Sequence, residues 1–224
     1  MTLALHGGVA KIGCMPRKRP APPSGSSSFP VPSGPAPASG GMTLAGQLLI
    51  AMPAMADPRF STCVVYMCAH TGDGAMGIVV NRPLAAPSFS DLLQQLGIDP
   101  VPPARSIRLC QGGPVDHARG FVLHTADWTG DGSLRVDERM ALTASLDILK
   151  AIAGGGGPTQ GVLALGYAGW GPGQLEQEIA QNAWLSGPAD AELLFDEQHE
   201  TKWHRAMAKL KVDPLLLSVQ AGRA

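Results

Sequence analysis

The chain has 224 residues, 45% of them apolar and 16% charged, and its 17 Lys and Arg against 18 Asp and Glu give a formal charge of −1. That length and apolar share suffice for one or two domains with a buried core. The near-neutral balance lacks the basic footprint of a nucleic-acid binder, and no run of about 18 apolar residues is present to span a membrane.

Charge divides the chain unevenly. Lys11, Arg17, Lys18 and Arg19 are the only Lys or Arg before Asp57, and no Asp or Glu precedes Asp57. With those four of the 17 bases removed, residues 41–224 hold 13 bases against 18 acids, a formal charge of −5. Residues 1–41 are dominated by Pro, Ser, Gly and Ala, a composition that buries too little surface to offset ordering entropy, and they read as a disordered extension. A flexible tail, or an upstream start codon ahead of Met42, is favoured over an organelle transit peptide because an amphipathic Arg-rich helix is missing.

Residues 42–224 read as a single domain of alternating strands and helices. Residues 63–69 and 76–80 are β-branched apolar runs separated by Thr71-Gly-Asp-Gly74, which predicts a hairpin. Ser88-Phe-Ser-Asp91 starts a helix whose stripe is Phe89, Leu92, Leu93 and Leu96, ending at Gly97. Residues 106–110 and 120–124 are strands flanking Gln111-Gly-Gly-Pro-Val115. Asp131-Gly132 predicts a hairpin turn between the Trp128 region and residues 134–136. Thr143 or Ser145 caps a helix with Leu146, Leu149 and Ile152 inward. A strand over 161–167, a glycine-rich turn over 166–173 and a helix over 173–183 follow, then a strand over 191–195. The last helix, 197–210, sets Trp203, Ala206, Met207 and Leu210 at i, i+3, i+4, i+7, with Lys202, Arg205 and Lys209 on its solvent side. Leu96-Gly-Ile-Asp-Pro100 and Leu210-Lys-Val-Asp-Pro214 echo one another; ordinary helix-stop chemistry explains this better than a duplication.

The residue types required by common chemistries are missing from the expected places. The 166–173 segment has no P-loop Lys-Ser/Thr, and its glycines miss dinucleotide spacing. There is no Gly-x-Ser-x-Gly elbow and no Cys-x-x-Cys. Cys63 and Cys68, five apart on one strand, face opposite sides of a sheet and share neither a metal nor a disulfide. The histidines are scattered. No metal and no cofactor is expected. A helix-turn-helix needs basic residues on its second helix: the helix near 90–97 has none, that near 145–153 only Lys150, and a solvated face explains Lys202, Arg205 and Lys209 of the last helix better.

Gln47-Leu-Leu-Ile-Ala-Met-Pro53, Asp57-Pro-Arg-Phe60, Gly77-Ile-Val-Val-Asn-Arg-Pro83, Gly112-Gly-Pro-Val115 and Gly166-Tyr-Ala-Gly-Trp-Gly-Pro-Gly-Gln-Leu-Glu176 resemble, in order, the signature blocks of the YqgE/AlgH family, as does the ending Ala221-Gly-Arg-Ala224. The resemblance covers residues 42–224. It implies a bacterial protein of α+β fold, with a bent, partly closed mixed or antiparallel sheet surrounded by helices. One member's name is linked to regulation of alginate synthesis, and no catalytic residues come with the family.

Several residues remain as candidates for ligand or partner binding. Asn81 and Arg82 end a strand, with Asn suited to a turn and Arg to a carboxylate or phosphate, unless Arg82 pairs with Asp57 or Asp73. Gly112 and Gly113 allow a close backbone approach. Tyr167, Trp170 and Gln174 lie in the glycine-rich segment, and packing over the sheet is the favoured reading of the two aromatics. Trp184, off its helix's apolar stripe, caps another element or meets a partner. The sequence therefore reads as a non-enzymatic cytoplasmic binding or regulatory protein, its partner an unknown protein or small molecule. A small-molecule binder or enzyme with a cleft near Arg82, Gly112-Gly113 and Trp170 is the first alternative. A DNA-associated transcriptional regulator is the second.

Overall fold

The computed structural model describes residues 43–101, 106–214 and 217. The extension expected over 1–41 lies outside these residues, as does the chain's ending. Strands β1 (Gln47–Ala51), β2 (Val64–Thr71), β3 (Gly74–Val79), β4 (Arg108–Gln111), β5 (Val115–Thr125), β6 (Ser133–Arg135), β7 (Met140–Thr143), β8 (Gly161–Trp170) and β9 (Trp184–Pro188) form one curled sheet. Its order is β6-β7-β5-β8-β3-β2-β1-β9, antiparallel throughout, with β4 added in parallel to β8. Five helices pack on it: α1 (Phe89–Gln95), α2 (Leu146–Ala153), α3 (Gln174–Ala180), α4 (Ala191–Phe195) and α5 (Lys202–Lys209). The fold is α+β with a bent, partly closed sheet, as the resemblance implies.

The bend comes from β8. Its first half, residues 161–165, is flanked by β4 and β5, while residues 168–170 pair with β3. Gly166 stands between the two halves at φ +74°. A Cβ there would lie 2.7 Å from the Val115 carbonyl oxygen and 2.8 Å from that of Gly113, so only glycine makes this turn. The segment read as a strand-to-helix turn over 166–173 is thus mostly strand, and the turn proper is Gly171-Pro-Gly173.

Alternation along the strands sorts the apolar residues onto two faces. Leu48, Ile50, Val64, Tyr66 and Cys68 face the side filled by Leu193, Leu194, Trp203, Ala206 and Met207 of α4 and α5. Leu49, Ala51, Cys63, Val65 and Met67 face the other side, covered by Leu175, Trp170 and Trp184. Cys63 and Cys68 therefore do lie on opposite faces. A third core lies under α1 and α2, where Phe89, Leu93, Ile148 and Ile152 meet Leu109, Val122 and Leu163.

The β2–β3 hairpin and α1 stand as expected, the latter with a full Ser88/Asp91 capping box. Leu96, placed on the buried stripe by periodicity, is exposed, because α1 is two turns long and ends before its stripe returns. The hairpin expected at Asp131-Gly132 is absent: β6 pairs with β7 instead, through residues 136–139. Residues 191–195 form α4 and not a strand, since the Asp190 side chain accepts the Leu193 N–H and caps a helix. The strand in this region is β9, drawn into extended form by the free edge of β1.

Candidate functional site

A cleft with room for about 180 Å³ opens where the ends of β3 and β4 meet the approach to β2. The 3₁₀ turn Pro58–Phe60 brings Arg59 and Phe60 to it, Cys63 and Val79 form its floor, and Arg82, Gln111, Gly113 and His117 complete the wall. Asn81 holds this corner together without lining it. Its Oδ1 accepts the Val64 N–H at 2.9 Å and its Nδ2 donates to the Thr62 carbonyl at 2.8 Å, so the side chain replaces a missing rung of the ladder. Thr62 sits at φ +55° and Asp116 at φ +50°, left-handed positions that β-branched Thr in particular adopts only when its surroundings enforce them. His117 belongs to a bulge in β5, where residues 116–119 leave the register between Val115 and Gly120.

Gly112 is a backbone crossing point. Its Cβ would stand 2.2 Å from the Gly166 carbonyl oxygen, and the Gly112 carbonyl accepts the Val79 N–H at 2.8 Å. The Gly112-Gly113 pair is therefore what presses the β4–β5 connection onto the bend of β8, and Gly113 alone reaches the cleft wall.

The cleft is electropositive. Arg59 is neutralised by a two-point contact to Asp57, Nε to Oδ1 at 3.0 Å and Nη2 to Oδ2 at 2.7 Å, and this holds the Asp57 carboxyl below its usual range. Arg82 pairs with neither Asp57 nor Asp73. Its Nη2 donates to the Ser61 carbonyl at 2.7 Å, and among the described residues no carboxylate ion-pairs with it. Burial pushes the Cys63 thiol up, with Arg82 pulling partly back. A protonated thiol is a poor nucleophile, so Cys63 is held in its unreactive form.

Trp170, Trp184 and Gln174 do not line the cleft; they form its outer buttress. Trp170 is only 6% and Trp184 only 2% exposed. Both indole N–H groups donate to the same oxygen, Oε2 of Glu178, at 2.9 and 2.8 Å. The other oxygen accepts from Gln174 Nε2 at 2.9 Å, and Gln174 Oε1 accepts the Gly171 N–H at 3.0 Å. Phe60, part of the cleft wall, stacks on Trp170 at 6.3 Å and meets Trp184 edge-on at 5.5 Å. Tyr167 packs on the opposite face, edge-on to Phe121. Trp184 is thus a core residue and has no face open to a partner. Glu178, the centre of this network, was missed by sequence reasoning; a Glu spaced i+8 from one Trp and i−6 from another, across a tight turn, is the signal that could have found it.

The last helix also differs from expectation. Lys202, placed on the solvent face, is fully buried; its Nζ donates to the Leu194 carbonyl at 2.9 Å and lies 3.4 Å from Asp196 Oδ1. Burial lowers its pKa to about 8 against the pull of Asp196. Arg205 pairs with Asp196 and Lys209 with Asp190, so α5 presents no row of free cations to a nucleic acid.

Fold and site together define an α+β half-barrel protein with a small cation-walled cleft at the sheet's bend. The family model described as AlgH-like matches residues 48–215, and the chain belongs to that family. A UPF0301 protein of Gluconobacter oxydans is 55% identical over 183 residues, 81% of this chain and 98% of that one. A UPF0301 protein of Rhodospirillum rubrum is 54% identical over 181 residues, 81% of this chain and 94% of that one. The solution structure of the AlgH protein from Pseudomonas aeruginosa is 44% identical and superposes with a TM-score of 0.67, over 86% of this chain and all of that one. None of these names carries a biochemical activity. Among the described residues no helix is long and apolar enough to cross a membrane.

Proposed function

We propose that this protein is a non-enzymatic binding protein that receives a small anion, a carboxylate or phosphate group, in the Arg59–Arg82–His117 cleft. The observation that carries the reading is the state of Arg82. It is a guanidinium at a cleft wall, anchored by a backbone carbonyl, beside a second guanidinium and an imidazole, with no carboxylate ion-paired to it among the described residues. Such a fork is suited to two-point recognition of planar or tetrahedral anions. A binding role is supported over a catalytic one by the cleft's thiol, which burial keeps protonated. A cytoplasmic location is supported by three buried free cysteines, 63, 68 and 110, as expected in a reducing compartment.

Phe60 touches both tryptophans, so ligand entry should register in their emission. Titration with inorganic phosphate and with acetate should give a saturable fluorescence change that weakens as salt rises. Arg82→Gln should weaken it at least tenfold. Equal affinity in wild type and Arg82→Gln, or no saturable change with either anion, rejects the reading.

A further inference from the structure

On the other side of the strip formed by residues 82–84 and β4 lies a second cleft, with room for about 250 Å³. Its walls are Pro83, Leu84, Pro87 and Phe89 on one side and Ile107 and Leu109 on the other. Arg108 supplies its cationic end, with the His199 ring beside it. Arg108 reaches across to the chain after α4, donating through Nη1 to the Asp196 carbonyl and through Nη2 to that of Phe195. The same Nη1 lies 2.9 Å from His199 Nε2, which must therefore accept. The proton of the neutral ring is then on Nδ1. That atom is buried and makes no hydrogen bond of normal geometry, although the Val80 carbonyl is near enough to favour the charged ring.

The charges around this cleft do not balance. Lys202 lies 3.4 Å from the Asp196 carboxylate and Arg205 ion-pairs with it, whereas Arg108 is held by backbone carbonyls and forms no ion pair with a carboxylate among the described residues. The next carboxylate, Glu192, is 3.7 Å from Arg205 with its side chain 82% exposed. Asp196 and the solvated Glu192 thus serve Lys202 and Arg205, and the Arg108 guanidinium is left with no carboxylate ion-paired to it among the described residues. A partly buried guanidinium without a counter-charge is costly and is relieved by an anion in reach. The opening through which a counter-ion can arrive is the one walled by prolines, Phe89 and Leu84.

We infer that this second cleft is a binding site for a small monocarboxylic acid with an apolar body, its carboxylate beside Arg108 and His199 and its body between Phe89 and Ile107. The site differs from the first cleft in its apolar walls, which suit a hydrocarbon body better than a bare inorganic ion. It also ties ligand to fold, because Arg108 and Asp196 connect β4 to α4 and α5.

The test uses the full chain, with benzoate as probe, benzamide as its uncharged counterpart and acetate as its counterpart lacking a ring. NMR shifts of the Leu84 and Ile107 methyls and the His199 ring, followed through the titration, locate the site and give its affinity separately from that of the first cleft. The expected result is saturable benzoate binding that moves those signals. At these signals benzamide and acetate should each act at least tenfold more weakly, and His199→Leu should weaken the benzoate effect on the two methyls at least fivefold. Leu84→Trp, which fills the cleft without touching the charge cluster, should abolish the benzoate shifts at Ile107 and His199 while the protein stays folded. Equal effects of benzoate and benzamide at these signals, shifts confined to residues of the first cleft, shifts at Ile107 and His199 retained in Leu84→Trp, or no saturable perturbation at all would each overturn the proposal.

Discussion

Replacing Glu178 with alanine removes the carboxylate oxygen on which two indoles converge. Trp170 and Trp184 are almost wholly buried, so neither N–H can turn to water when Oε2 is gone. Hydrogen bonds to a charged acceptor contribute roughly 1.5–3 kcal/mol each, and a buried donor left unpaired costs about 1–3 kcal/mol. The two bonds share one acceptor and are not additive, so the expected loss is about 3–4 kcal/mol and not their sum. For a chain of this size that corresponds to a fall in melting temperature of roughly 6–16 °C. Glu178→Gln keeps one oxygen for the indoles but sets an NH₂ against Gln174 Nε2, and should cost about 1–2 kcal/mol. Urea unfolding followed by far-ultraviolet circular dichroism measures both, with an unchanged slope showing that the unfolded state is not the cause. A Glu178→Ala loss under about 0.5 kcal/mol would refute the idea that this carboxylate organises the tryptophans.

Two further predictions concern backbone contact and buried charge. Gly112→Ala sets a Cβ 2.2 Å from the Gly166 carbonyl oxygen, against backbone that cannot swing aside. It should cost more than about 3 kcal/mol or prevent soluble expression, whereas Gly97→Ala, with open space around its Cβ, should cost about 1 kcal/mol from its positive φ alone. Lys202 has a folded-state pKa near 8 against 10.5, so between these values the unfolded chain holds the extra proton. Its penalty is fully present below pH 8 and is relieved as pH rises toward 10.5, adding about 2 kcal/mol of stability between pH 7.5 and 9.5. Urea midpoints for wild type and Lys202→Met at those two pH values check this; the climb should vanish in the variant, and an equal climb in both would assign it to other groups.

The two clefts share a physical origin. Residues 82–84 run beside β4, with the Arg82 carbonyl accepting from Gln111 N–H and Leu84 N–H donating to the Leu109 carbonyl. This strip separates Arg82 on one side from Arg108 on the other. The Asn81 bonds to Val64 and Thr62 anchor the start of this strip.

Local pattern in the chain settled what depends on near neighbours. The β2–β3 hairpin follows from alternation and a Gly-Asp-Gly turn, α1 from its capping box, and the opposite facing of Cys63 and Cys68 from the two-residue period of a strand. The blocks from Gln47 to Glu176 were enough to mark the AlgH-like family. Tertiary structure alone decided what depends on distant partners. Residues 191–195 are apolar enough for a strand, and the Asp190 cap together with packing beneath α5 made them helical. Spacing leaves Trp184 either to cap another element or to meet a partner, and Glu178 and Phe60 close over it. Lys202 sits on a helix face that counts as solvent by periodicity, yet the carbonyl of Leu194 and the carboxylate of Asp196 draw it inside. Burial and charge pairing are properties of surfaces brought together across the fold, and no spacing along one segment encodes them.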